Sequence, residues 1–178
     1  MAEDKLKNLM GLGVSAETAA VLVNKGIPRL IPAFHGKAGA TAGWALPSAH
    51  AGFTNSGVVG LPASQTASTL VIPISGLKVG DTITAFTVRG QIESGGNTVT
   101  LDADLRKLTI AAGDITDASI GAITQISKTA DYAISDSKTL ATAEVVAADE
   151  QYYVLLTGTT GVSCDIQLAG ITLTVQEG

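Results

Sequence analysis

The chain has 178 residues, 46% of them hydrophobic and 15% charged, with a formal net charge of −5 at pH 7. This is enough for one domain with an appendage, and it is too apolar for a disordered chain. Two His, one Cys and one Trp leave little material for a His/Cys metal site, and none for an internal disulfide.

The lone Cys164 fits a reducing compartment. The opening Met1-Ala2-Glu3-Asp4-Lys5 is polar and lacks the basic-then-apolar order of a secretory signal, so synthesis in a cytosol is expected. Apolar runs such as Tyr152–Leu156 are far too short to span a bilayer, and no membrane partner is expected. Charge is uneven. Residues 1–37 hold five basic and three acidic groups, and the remainder six basic and thirteen acidic. An acidic body argues against a nucleic-acid partner, because phosphate binding needs Lys and Arg.

Residues 1–27 read as a helical head. Leu6, Leu9 and Met10 share a helix face, and Gly11-Leu12-Gly13 breaks it. Ser15 is suited to cap a second helix with Ala19, Val21, Leu22 and Val23 on its apolar side, ended by Gly26 and Pro28. So short a pair needs a surface to rest on. Met10–Gly13 is similar to the turn of a helix–hairpin–helix DNA-binding motif, but no Lys or Arg lies between residues 8 and 24.

Residues 28–67 read as an extended arm. Pro and Gly interrupt it, while apolar anchors are spaced along it: Leu30, Ile31, Phe34, Trp44, Leu46, Phe53, Val58, Val59 and Leu61. A flexible linker would lack such anchors. Extended, the arm could reach on the order of 100 Å. It is either a strap laid on a partner or a loop wrapping its own domain. On the strap reading, Leu6, Leu9, Met10, Leu30, Ile31, Phe34, Trp44, Leu46 and Phe53 contact the partner.

Residues 68–178 form the body, where the hydrophobic period is two. Leu70, Ile72 and Ile74 alternate with Thr69, Val71 and Pro73, and Pro73 puts that strand near an edge or its end. Gly76–Asp81 reads as a turn. Phe86, Val88, Gly90 and Ile92 share a face, and Ser94–Asn97 reads as a hairpin loop. Val99, Leu101, Ala103 and Leu105 return, with Asp102 and Asp104 facing water. Further strands are expected near 119–127, 139–146, 151–157 and 162–175, the last two joined by a Gly158–Gly161 hairpin. The final strand has Val162, Cys164, Ile166 and Leu168 inward, then Ile171, Leu173 and Val175. That phase change predicts a bulge at Ala169-Gly170. The expected fold is all-β: an antiparallel two-sheet sandwich of about eight strands, jelly-roll-like, with a short N-terminal helical pair and an extended arm.

Chemistry is sparse. Asp102 and Asp104 lie about 7 Å apart on one strand face. They could seat Ca²⁺ with help from a loop, but a solvated face is the simpler reading. Asp114–Asp117 reads as turn residues. His35 and His50 have no zinc-spaced neighbours, and Cys164 sits at an inward strand position. Neither a nucleophile elbow nor a phosphate-binding loop is present. No catalytic, cofactor-binding or metal residue is assigned.

The head, with Asp4-Lys5-Leu6-Lys7-Asn8-Leu9-Met10, resembles the N-termini of structural proteins of tailed bacteriophages. So do Leu61–Ala67 leading into 82–108, and the end at 152–175. The resemblance implies a non-enzymatic virion component of the capsid decoration (cement) type. It would be made in the host cytoplasm and carried on the capsid surface. Its partners would be the major capsid protein and further copies of itself, most simply as a trimer. The alternative is a tail or head fibre, or a carbohydrate-binding β-sandwich module, contacting the host surface. Sugar platforms draw on exposed aromatics, and this chain has three Phe, three Tyr and one Trp in all.

Overall fold

A computed structural model describes residues 26–39, 43–45 and 57–178. The helical pair, together with Leu6, Leu9, Met10, Leu46 and Phe53, lies outside the described residues. Ten strands follow in order: β1 (Ile27–Pro32), β2 (Lys37–Ala38), β3 (Val59–Leu61), β4 (Ser68–Ile74), β5 (Thr82–Glu93), β6 (Val99–Ala111), β7 (Asp114–Lys128), β8 (Tyr132–Val145), β9 (Glu150–Thr159) and β10 (Asp165–Gln176). A single turn of 3-10 helix spans Ala33–His35.

The strands form two five-stranded antiparallel sheets. The front sheet runs β1-β10-β5-β8, with β3 also on β10, and the back sheet runs β2-β4-β9-β6-β7. Within the body the chain changes sheet at every connection except β6–β7, the jelly-roll pattern. The alternating residues meet between the sheets. Phe86, Val88, Ile92, Ile166, Leu168, Ile171 and Leu173 face Leu70, Ile72, Leu101, Leu105, Val154 and Leu156, and all are buried. Two aligned sheets with inward alternation give one continuous core.

The predicted bulge is present. The β10–β5 register shifts between Leu168 and Gly170, which returns Ile171 and Leu173 to the core. Gly170 is required there, since a Cβ would lie 2.4 Å from the Ile31 carbonyl oxygen. Val162, expected inward, is 67% exposed, because it lies in the loop before β10. Ser94–Asn97 and Gly158–Gly161 are not hairpins. Each carries the chain from one sheet to the other. The turn residues dictate a reversal but not which sheet receives the returning strand. Among the described residues, a hairpin is formed instead at Ala111–Asp114, with Gly113 at φ +90°. Asp114–Asp117, expected as a turn, is therefore the start of β7.

The described parts of the arm wrap their own domain. β1 covers the edge of β10 opposite Gly170–Val175, and β3 covers it opposite Ile166–Leu168. β2 pairs with β4 on the back sheet. Arg29 of β1 donates from Nη1 to the Gly76 carbonyl oxygen at 2.7 Å and pairs through Nη2 with Asp81 Oδ2 at 3.2 Å. Asp81 also accepts from the Lys78 and Gly178 backbone N–H groups. Burial pushes the Asp81 carboxyl up, but these N–H donors and the guanidinium outweigh it, and its pKa lies below the ordinary value.

At the opposite margin Lys107 of β6 reaches Glu144 of β8 at 2.5 Å and Glu150 of β9 at 2.7 Å, tying back sheet to front. The Tyr152 hydroxyl donates to both glutamates. Nearby, Leu140 of β8 turns inward over Gly121 of β7, where a Cβ would collide with it at 2.5 Å.

Candidate functional site

The expected partner contacts separate into two groups. Ile31 and Trp44 are 8% and 5% exposed and belong to this chain's own core. The Trp44 indole N–H donates to the Ser68 carbonyl oxygen at 2.9 Å. As partner contacts both are corrected, because a side chain buried in its own fold offers no surface to another molecule. Leu30 and Phe34 are 66% and 50% exposed, and Phe34 packs edge-on to His35 with ring centroids 4.7 Å apart. They remain the accessible apolar positions of the described arm.

The outer face of the back sheet is electrostatically closed. Arg106 bonds Asp104 at 2.6 Å and Asp117 at 3.1 Å. Its Nε–H also reaches the Tyr153 hydroxyl, which donates to Asp117 at 2.8 Å. The hydrogen bond from Tyr153 and the Arg106 guanidinium hold the Asp117 carboxyl below its ordinary pKa against the effect of burial. Asp102 accepts from the Gln125 amide. Asp102 and Asp104 thus point to different partners rather than converging. Among the described residues no group of three or more His, Cys, Asp or Glu could hold a metal ion.

The outer face of the front sheet is different. Inward alternation of Phe86, Val88 and Ile92 turns Arg89, Gln91 and Glu93 outward along β5. The phase of β10 before its bulge puts Asp165 and Gln167 beside them, paired opposite Glu93 and Gln91. Arg89 spans three strands, donating to Thr172 at 3.2 Å and Ser135 at 3.5 Å. Gln91 donates to Glu93 at 2.8 Å, and Gln167 donates to Glu93 and Asp165 at 3.3 and 3.2 Å.

At the upper end of this row lies an open cleft of about 530 Å³, lined in part by Gln91, Glu93, Asp131, Tyr132 and Asp165. A second groove of about 310 Å³ continues past Gln91 to Arg89, Gln167 and Val58. The loops that wall the cleft touch closely. A Cβ on Gly95 would lie 2.6 Å from the Ser163 carbonyl oxygen, and Ser163 itself holds φ +61°. Asp131 fixes the rim by accepting from the Ser94 N–H at 2.9 Å. Lys128 sits 4.1 Å above the Tyr132 ring, and the Tyr132 hydroxyl donates to Asp136. Burial and the neighbouring Glu93 and Asp131 charges push the Asp165 carboxyl up, against the opposing Gln167 hydrogen bond.

This surface offers amide donors and acceptors, carboxylates and one guanidinium on a rigid sheet, while Tyr132, paired opposite inward Ile92 and packed against the core, only borders the cleft. Such a set suits a ligand with many hydroxyls. Among the described residues that line the cleft, no hydroxyl is hydrogen-bonded to a His, Asp or Glu that could act as its base, apart from Tyr132 on Asp136. Sequence reasoning missed it. Its signal was the run of long polar residues at alternate positions 89, 91 and 93.

No family model matches the chain, and no curated protein matches it. Several solved structures are similar. One is the CBM36-1 domain (a carbohydrate-binding module) of a multidomain xylanase from the hindgut metagenome of Trinervitermes trinervoides. It shows 12% identity over 83% of this chain and 96% of that one, at a TM-score of 0.44. Another is the CBM22-1 and GH10 modules of a Clostridium thermocellum endo-1,4-beta-D-xylanase complexed with xylohexaose, with 11% identity over 85% and 28% of the chains and a TM-score of 0.46. A third is the enzymatically active domain of tailspike protein 4 of bacteriophage CBA120, with 12% identity over 86% and 19% of the chains and a TM-score of 0.30.

Proposed function

We propose that this chain is a non-catalytic β-sandwich binding module that takes a polyhydroxylated, glycan-type ligand on the outer face of its front sheet. One observation carries the reading. Gln91, Glu93, Asp165 and Gln167 form a hydrogen-bonded polar row, with Arg89 next along β5, over two adjoining clefts. Sugar hydroxyls both donate and accept, and fixed amides and carboxylates match them in pairs. Tyr132 borders the larger cleft at its end. Titration calorimetry with xylohexaose and a panel of soluble bacterial surface polysaccharides tests it. Q91A should weaken the best ligand at least tenfold while leaving the melting temperature unchanged. Failure of every saccharide to bind, or binding that ignores Q91A, refutes it.

A second reading is a capsid decoration protein that binds the major capsid protein on the virion surface. The observation favouring it is apolar exposure away from the sugar face. Ile110 and Ile115 stand opposite each other at the tip of the β6–β7 hairpin, both exposed, and Leu30 and Phe34 lie bare on the arm. Cosedimentation with emptied phage heads separates the two. Capture that is lost in an I110S and I115S double variant but retained by Q91A supports decoration, and the reverse pattern supports the glycan reading.

A further inference from the structure

The two margins of the sandwich are treated differently. On the β10 and β4 side the arm strands cover the edges, and β1 itself is guarded by Pro28 and Pro32, which cannot donate to a further strand. On the other side β7 and β8 end their sheets with nothing paired to them among the described residues. β7 is irregular. Its register with β6 shifts twice, between Leu101 and Ala103 and between Leu105 and Arg106. Bulges of this kind spoil an edge for pairing. In β8 the eight residues from Tyr132 to Thr139 pair with β5 without interruption and include no proline.

We infer that this stretch of β8 is a self-pairing edge, on which a second copy of the chain docks antiparallel about a two-fold axis through Ser137. The register follows from the side chains. Ile134, Asp136, Lys138 and Leu140 occupy the inward-facing positions. A two-fold axis perpendicular to the sheet pairs inward residues with inward residues, so the axis must pass through a residue. Centred on Asp136, or on Lys138, the pairing sets like charges opposite each other. Centred on Ser135, it sets Ile134 against Asp136. Centred on Ser137, it sets Asp136 against Lys138 twice and Ser135 against Thr139, all within the regular stretch. Of these registers only that one sets the two charges against each other.

The charges argue for this purpose. Lys138 has no ion-pair or hydrogen-bond partner among the described residues, and Asp136 accepts only from the Tyr132 hydroxyl. Inward-pointing charges on an edge strand ordinarily block association. A plus–minus pair two residues apart instead selects one register and rejects the others. In such a dimer both front sheets join into one, and both outer faces look the same way. On the glycan reading the two clefts would then lie on the order of 30 Å apart, near opposite ends of the shared edge. That spacing would allow bivalent attachment to one polymer.

The test is sedimentation equilibrium on the full chain at micromolar concentration, with melting followed in parallel. Wild type should give twice the 18.0 kDa monomer mass. K138E and D136K each set like charges opposite each other, and each should raise the dimer dissociation constant at least tenfold with the melting of the monomer retained. Mixed in equal amounts, K138E and D136K should recover wild-type dimerisation, because each restores opposite charges across the axis. A wild-type monomer or trimer, a K138E dimer as tight as wild type, or a mixture that stays monomeric overturns the inference. None of these outcomes depends on saccharide binding.

Discussion

Replacing Trp44 by Ala should unfold the chain at lower temperature rather than merely weaken a partner contact. The indole is 5% exposed, lies against Gly158 of β9, and donates its N–H to the Ser68 carbonyl oxygen. Removing a buried Trp costs about 3–5 kcal/mol from the lost transfer energy and the cavity left behind. Against a total stability of about 5–15 kcal/mol that is a large share. For a chain of this size each kcal/mol moves the midpoint by about 2–4 °C, so the melting temperature should fall by about 10 °C. W44F keeps most of the apolar area but loses the hydrogen bond, and should cost about 1 kcal/mol beyond the reduced packing. Far-UV circular dichroism melts and urea titrations measure both. Because Trp44 is the only tryptophan, wild-type fluorescence offers an independent check. Emission should be blue-shifted and resistant to acrylamide, and both properties should vanish on unfolding. A W44A midpoint within about 2 °C of wild type, with readily quenched wild-type emission, would refute the placement of the arm in the core.

R29A should destabilise by about 2 kcal/mol, read by urea titration, because it leaves the buried Asp81 carboxylate without its cation. The folded-state pKa of Asp81 is depressed, so this contribution is complete above its ordinary value of 3.8 and is lost as pH falls through the lower folded value. The gap between wild type and R29A should therefore narrow on acidification. For Asp165 the sign reverses. Its folded pKa is raised, so the charged form costs stability once pH climbs through the raised value, and the cost is absent below 3.8. D165N should raise the melting temperature near neutral pH and have no effect in strong acid. G170A should cost about 1–3 kcal/mol and increase amide exchange in β1, since its Cβ meets the Ile31 backbone rather than a side chain that could move.

The period-two alternation of residues 68–105 and 151–175 was enough to specify an all-β sandwich. Even the bulge at Ala169-Gly170 was legible, because a change of side-chain phase has one economical backbone cause. Sheet membership was not legible. Ser94–Asn97 and Gly158–Gly161 have turn chemistry, yet a turn that stays in its sheet and one that crosses to the other need the same residues. The first half of β8, Tyr132–Lys138, was missed because its edge position relaxes the demand for apolar residues at inward sites. Asp136 and Lys138 stand where an inner strand would carry Val or Ile. The arm shows the same limit from the other side. Its apolar anchors announced that it must bury Ile31, Trp44, Val59 and Leu61, but composition cannot name the surface that receives them. The open edge of β10 and the gap above Gly158 received them. Likewise, each polar residue of the front face was visible singly at an outward position. Only the pairing of β5 with β10, strands some eighty residues apart in sequence, brought Gln91 and Glu93 together with Asp165 and Gln167. Local periodicity decides which side of a strand faces out, and long-range strand pairing decides which outward side chains become neighbours.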